Sequence, residues 1–168
     1  IKSNEELNVI KKVVKLTLSC LSFIKSKIMP GVREKDFAAT IEYFIKTHGG
    51  DDSAFKTIVA SGSNSVMPHA IASNRIIKKN DSVLIDFGIS SYGYNSDLTR
   101  IFSLGKINTY YRKIYSIVKD AQRIAIDYIK PGVRISEIEM KVRDYLDEKG
   151  FGKFFVHSLG HGIGREVH

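Results

Sequence analysis

The sequence predicts an α+β domain made of two copies of a helix-turn-helix-strand unit with a strand-rich insert between them. Three observations carry this reading: a recurring hexapeptide, helical spacing of apolar residues around each copy, and strand-type alternation in between. Ile28-Met29-Pro30-Gly31-Val32-Arg33 returns as Ile129-Lys130-Pro131-Gly132-Val133-Arg134, displaced by 101 residues. The 168 residues, 43% hydrophobic and 26% charged, suit a single domain spanning 1–168 with a sizeable core. The repeat halves run from about 1 to 105 and from about 106 to 168.

Leu7, Ile10, Val14, Leu18, Leu21, Ile24 and Ile28 keep helical spacing, as do Tyr111, Ile114, Val118, Ala121, Ala125 and Tyr128 in the second copy. Pro-Gly ends each of these helices. Phe37, Ile41 and Phe44 mark a second helix stopping at Gly49, and Ile138, Val142 and Tyr145 mark its counterpart stopping at Gly150. Ser136 and Glu139 have capping-box spacing, which lets the Ser136 hydroxyl satisfy the Glu139 amide. Strands are expected next, near 55–60 and 154–157. Chance likeness of two Pro-Gly turns is the rival explanation, and the matched helix lengths weigh against it. A repeated domain places a cleft between its halves, where ligand sites tend to lie.

In the insert, Val83-Leu84-Ile85-Asp86-Phe87 is an apolar run broken by one acid, and Tyr94 to Phe102 alternates as a strand does. A turn between Ser91 and Tyr92 would set Asp86 directly opposite Asp97. Like charges so placed destabilise a ladder, and acids beside Ile85, Phe87 and Leu98 need a shared proton or a cation. A divalent metal supplies that neutralisation, and one carboxylate can bridge two metals. A bulge that turns one aspartate to solvent is the alternative. Asp86-Phe87-Gly88 also matches the magnesium tripeptide of protein kinases, but the companion catalytic and glycine-rich loops are missing.

His157, His161 and His168 crowd the last dozen residues. The spacing of His157 and His161 would fit one helical face, but Gly160, Gly162 and Gly164 argue for an extended segment. There the two imidazoles share a face, one able to bind metal while the other meets substrate, and His161 is the better ligand. Each histidine alone is more often a hydrogen-bonded structural residue; the company of Asp86 and Asp97 reverses that. His69, after Met67-Pro68, is a further candidate, with Pro68 biasing Met67 to extended backbone.

Other features bound the function. No apolar run approaches the roughly 18 residues that span a bilayer, and Lys11, Lys12 and Lys15 interrupt the apolar start, so no membrane partner is expected. The formal net charge of +8 comes from 26 scattered Lys and Arg residues, without the basic, aromatic-interleaved stripe of a nucleic-acid binder. Cys20, the single cysteine, is expected to be a small core residue and is compatible with a reducing cytoplasm, the compartment expected here. An initial Ile1 and an abrupt His168 suggest a processed or partial chain.

Taken together, Ile85-Asp86-Phe87-Gly88, Tyr94-Asn95-Ser96-Asp97-Leu98-Thr99-Arg100, and Gly160-His161-Gly162-Ile163-Gly164 followed by Val167-His168 resemble the family of methionine aminopeptidase, prolidase, Xaa-Pro aminopeptidase and creatinase. The resemblance runs from the first helix to His168. It implies the pita-bread fold, a pseudo-twofold arrangement of helix-helix-strand units around a curved antiparallel sheet, incomplete at its C-terminal end. Val59-Ala60-Ser61-Gly62-Ser63-Asn64 ahead of His69, and His157 four residues before His161, resemble the Xaa-Pro aminopeptidase and prolidase branch.

By this resemblance Asp86 chelates one metal, Asp97 bridges two and His161 binds the other. His69 and His168 match histidines that hydrogen-bond substrate around the scissile peptide, and His157 matches one near the leaving group. The implied activity is aminopeptidase hydrolysis of the N-terminal bond of Xaa-Pro peptides by a hydroxide shared between two divalent metal ions. Manganese suits oxygen-rich ligation with one imidazole best, with cobalt, iron or zinc left open. The implied partner is a peptide with a free N-terminus, and a homodimer is left open. In the family, two glutamates beyond the position of His168 complete the metal site, so this stretch alone is expected to bind metal weakly and hydrolyse little. The branch also usually carries an extra amino-terminal domain. Methionine aminopeptidase activity, or a non-catalytic pita-bread module that binds peptides or proteins, is the alternative.

Overall fold

The computed structural model describes residues 2–67 and 69–168; Ile1 and Pro68 lie outside them. Two compact units emerge, one of residues 1–106 with 162–168 and one of residues 107–161.

The first unit begins with α1 (Asn4–Lys25), capped reciprocally: the Ser3 hydroxyl accepts from the Glu6 amide and the Ser3 amide donates to Glu6 Oε2. Its buried line is Val13, Thr17, Cys20 and Ile24. The expected stripe is therefore rotated, with Leu7 and Leu18 exposed, because Thr17 turns inward to hydrogen-bond Ser96. Cys20 is a core residue, as expected, and burial pushes its thiol up to about 12. α2 (Glu34–Thr47) buries Phe37, Ile41 and Phe44.

Two antiparallel sheets follow. β2 (Ile58–Ser61), β3 (Ser82–Phe87) and β6 (Leu98–Ser103) form one, in the order β2-β3-β6. β1 (Asp52–Ser53), β4 (Ile89–Ser91) and β5 (Tyr94–Asn95) form the other, ordered β1-β4-β5. The core joins the helices to one face of the strands through Val13, Ile24, Phe37, Ile41, Val59, Val83, Ile85, Phe87 and Ile89. Strand alternation explains this face: Val83, Ile85 and Phe87 point inward, so Leu84 and Asp86 point the other way.

The hairpin turn is one residue further on than the sequence suggests. Tyr92 and Gly93 take φ of 54° and 73°, a two-residue turn of the primed kind between Ser91 and Tyr94. The register shifts accordingly, so Asp86 pairs with Thr99, not Asp97.

In the second unit, α3 (Thr109–Tyr128) and α4 (Ile135–Glu148) pack through Ile117, Ala121, Ala125, Ile138, Val142 and Leu146. α4 repeats the bounds of α2 at the displacement of the hexapeptide, and both have 14 residues. No capping box forms at α4: Arg134 is the N-cap, Ser136 falls inside the first turn, and Glu139 instead holds Arg143 at 2.7 and 2.9 Å. The expected strand at 154–157 is absent, as is the extended strand around His161; a 3-10 turn (Gly152–Phe154) and irregular chain stand there. A strand needs a ladder partner, and none of the described strands pairs with either segment. Among the described residues, no helix is long and apolar enough to cross a membrane.

Candidate functional site

Asp86 and Asp97 occupy successive positions on one face of the β3–β6 hairpin. Thr99 is the direct partner of Asp86, and Asp97 lies two residues before it, which returns its side chain to the same face. The pairings on either side keep a single register, with Gly88 and Asp97 where the two ladders part.

The chain bends there for steric reasons. A Cβ on Gly88 would collide with the Ser96 carbonyl oxygen and lie 2.7 Å from the Phe55 ring. Ser96, 1% exposed, repairs the ladder with its side chain: its hydroxyl accepts from the Ile89 amide at 2.9 Å while its amide donates to the Ile89 carbonyl at 2.9 Å. The Thr17 and Ser96 hydroxyls lie 2.6 Å apart, fastening α1 to the bend.

A cavity of ≈310 Å³ opens on this face, lined by Phe55, Ile58, His69, Asp86, Asp97 and His168 among others. His69 reaches it from the loop after a 3-10 turn (Gly62–Val66), in which Met67 is extended as expected before proline. His168 arrives on the segment 162–168, which Asn95 holds. The Asn95 amide donates to the Gly164 carbonyl at 2.8 Å, and its side-chain nitrogen donates to the Arg165 carbonyl at 2.8 Å.

Burial pushes the Asp86 carboxyl above the usual carboxylate range, and the neighbouring Asp97 charge pushes it further. The Thr99 hydroxyl, donating to Asp86 Oδ1 at 2.8 Å, and the His168 and His69 imidazoles pull the other way. The donor set is carboxylate with imidazole, suited to a divalent cation, and the strain of two like charges on one wall is what a cation would relieve.

Four of the six residues singled out from the sequence thus line one cavity: His69, Asp86, Asp97 and His168. His161 is the exposed last residue of the second unit. His157 also belongs to that unit, with Nδ1 2.8 Å from the Ser158 carbonyl, its own carbonyl accepting from Arg143 Nη2 at 3.1 Å, and its ring edge-on to Phe155.

Sequence reasoning missed Glu34, Asn95, and the Thr17–Ser96 link. Glu34 is fully buried and accepts hydrogen bonds from Ser61, Asn64 and Ser73, on the chain that leads to and from His69. Its signal was the cluster of small polar residues at 61–65, whose donors need an acceptor once buried. Asn95 was legible only as part of its motif.

The Xaa-Pro dipeptidase of Pyrococcus furiosus is 40% identical to this chain over 168 residues, covering all of the chain and 48% of the relative. The solved prolidase from the same organism superposes with a TM-score of 0.97 at 40% identity over all of this chain and 50% of that one. X-Pro aminopeptidase from Thermotoga maritima gives 0.96 at 38% identity over all of this chain and 48% of that one. The chain spans about half the length of the curated relatives it matches and shares the pita-bread fold of these peptidases. Residues 8–168 match metallopeptidase family M24, and with this identity along its full length the chain belongs to that family.

Proposed function

We propose that the protein containing this chain is a metal-dependent peptidase that cleaves the N-terminal bond of Xaa-Pro peptides. The observation that carries the proposal is the convergence of Asp86, Asp97, His69 and His168 on one cavity, with the Asp86 carboxyl held above its ordinary range. Relatives named Xaa-Pro dipeptidase and X-Pro aminopeptidase support the proline preference.

Asp86 and Asp97 would hold divalent cations, with His161 as imidazole ligand on the strength of its motif and further carboxylates supplied by the rest of the protein. Bound there, the cations would supply activated water near neutral pH and polarise the peptide carbonyl. Two manganese ions are the proposed complement, in a cytoplasmic enzyme. His69 and His168 orient the substrate carbonyl and hold or pass a proton at their ring nitrogens. His157 is assigned to the leaving-group side. Phe55, Ile58 and Ile71 give the cavity an apolar wall that suits an uncharged side chain.

The test compares manganese-dependent hydrolysis of Xaa-Pro dipeptides, Xaa-Pro-Xaa tripeptides and Met-Ala peptides by the full-length protein. Cleavage of the proline substrates is expected. The ratio of dipeptide to tripeptide turnover separates dipeptidase from aminopeptidase action. Preference for Met-Ala, or peptide binding without hydrolysis, overturns the reading. The 168-residue chain alone is expected to hydrolyse little.

A further inference from the structure

The loop that brings His69 to the cavity is tied on both sides to one carboxylate outside the proposed metal set. Glu34 opens α2 and is 0% exposed. Its Oε1 accepts from the Ser61 amide at 2.7 Å and the Ser61 hydroxyl at 2.8 Å. Its Oε2 accepts from the Ser73 hydroxyl at 2.6 Å and the Ser73 amide at 3.1 Å. The Asn64 side-chain amide donates to both oxygens, at 3.2 and 3.1 Å.

These donors sit where they control the loop. Ser61 ends β2, Asn64 lies in the 3-10 turn, and Ser73 follows His69 after Ala70, Ile71 and Ala72. Arg75 adds a second tie to the same ends, donating from Nε to the Ser61 carbonyl at 2.9 Å and from its amide to the Ser73 hydroxyl at 3.0 Å. A carboxylate taken out of water is tolerated when donors saturate its oxygens, and such charge-assisted bonds are short and directional. An apolar side chain would leave the Ser61, Asn64 and Ser73 donors without their acceptor, so the carboxylate both satisfies them and fixes their geometry.

We infer that Glu34 is a positioning residue: by clamping residue 61 to residue 73 it sets where His69 stands in the cavity. The catalytic consequence rests on the peptidase reading proposed above, whereas the loop geometry can be read without any reaction.

The experiment uses full-length protein, wild type and Glu34→Gln, with labelled histidine. Three readings are taken: the imidazole resonances of His69 and His168 in metal-free protein, amide hydrogen exchange across 62–73, and kcat, KM and Mn2+ affinity on an Xaa-Pro peptide. In the folded variant the His69 resonance is expected to move while that of His168 stays, and exchange across 62–73 to rise about tenfold or more. kcat is expected to fall about tenfold at unchanged Mn2+ affinity, as for a misplaced catalytic group. If Glu34→Gln does not fold, Ser73→Ala gives the same readings. Unchanged His69 resonance and loop exchange overturn the inference, as does equal displacement of both histidine resonances. A His69 shift in a protein that cleaves no peptide supports the positioning role and overturns the peptidase reading instead.

Discussion

The Thr99 hydroxyl donates a 2.8 Å hydrogen bond to Asp86, its direct partner across the β3–β6 ladder, and so favours a charge that burial and Asp97 oppose. A raised carboxyl holds its proton to higher pH, so the ionised side chain disfavours folding of the metal-free protein, a penalty relieved as pH falls through the raised value. Metal binding needs the carboxylate and weakens over the same fall. Thr99→Val removes the bond and is expected to move the loss of Mn2+ affinity to higher pH, as measured by calorimetry of full-length protein across a pH series. Coincident curves for the two proteins would contradict this.

Asp97→Asn tests the metal assignment directly, because the amide keeps the shape of the side chain and loses the charge that holds a cation. Mn2+ affinity should fall by more than about 100-fold, beyond what loss of a supporting hydrogen bond costs. Unaltered affinity, measured by calorimetry of the full-length protein, would remove Asp97 from the metal site.

The hairpin offers a pair of backbone tests. Gly88→Ala forces a Cβ against the Ser96 carbonyl and the Phe55 ring, and is expected to cost about 1–3 kcal/mol in urea denaturation. Tyr92 holds φ of 54° at 71% exposure, so Tyr92→Asn, a residue that tolerates this conformation, is expected to gain up to about 1 kcal/mol. Destabilisation by Tyr92→Asn would show that its ring contributes more than its backbone costs.

Glu34 should shape acid stability. Burial is the largest single influence and raises its carboxyl, but the bonds from Ser73, Ser61 and Asn64 together bring it below the usual range. A carboxyl lowered on folding stabilises fully above its unfolded value, about 4.3, and loses that contribution as pH falls through the lower folded value. Glu34→Gln is expected to lose about 2 kcal/mol at pH 7 and to flatten the decline of melting temperature below about pH 4.3. Parallel curves for wild type and variant would refute this.

Much of this was legible in the sequence because it follows from local rules. The helices at Glu34–Thr47 and Ile135–Glu148 follow from spacing and turn residues, and the single acid in the apolar run 83–87 marked Asp86 as a candidate site residue, although its outward face emerged only with the strand's alternating burial. The hairpin failed by a single position: Ser91-Tyr92 and Tyr92-Gly93 are neighbouring places to turn, and placing the turn one residue early moved Asp97 opposite Asp86. A tyrosine at positive φ is what spacing arguments rule against. The missing strands at 154–157 and around His161 failed for another reason, since an extended segment becomes a strand only when a neighbour pairs with it. Glu34 was hidden because its donors are distant in sequence, and only the fold gathers them.

Asn95 holds the segment bearing His168 by two main-chain oxygens, those of Gly164 and Arg165. Such an anchor is indifferent to which side chains the segment carries. Side chains at 164 and 165 can therefore change without loosening this hold, whereas a change at Asn95 itself would release the segment that carries His168.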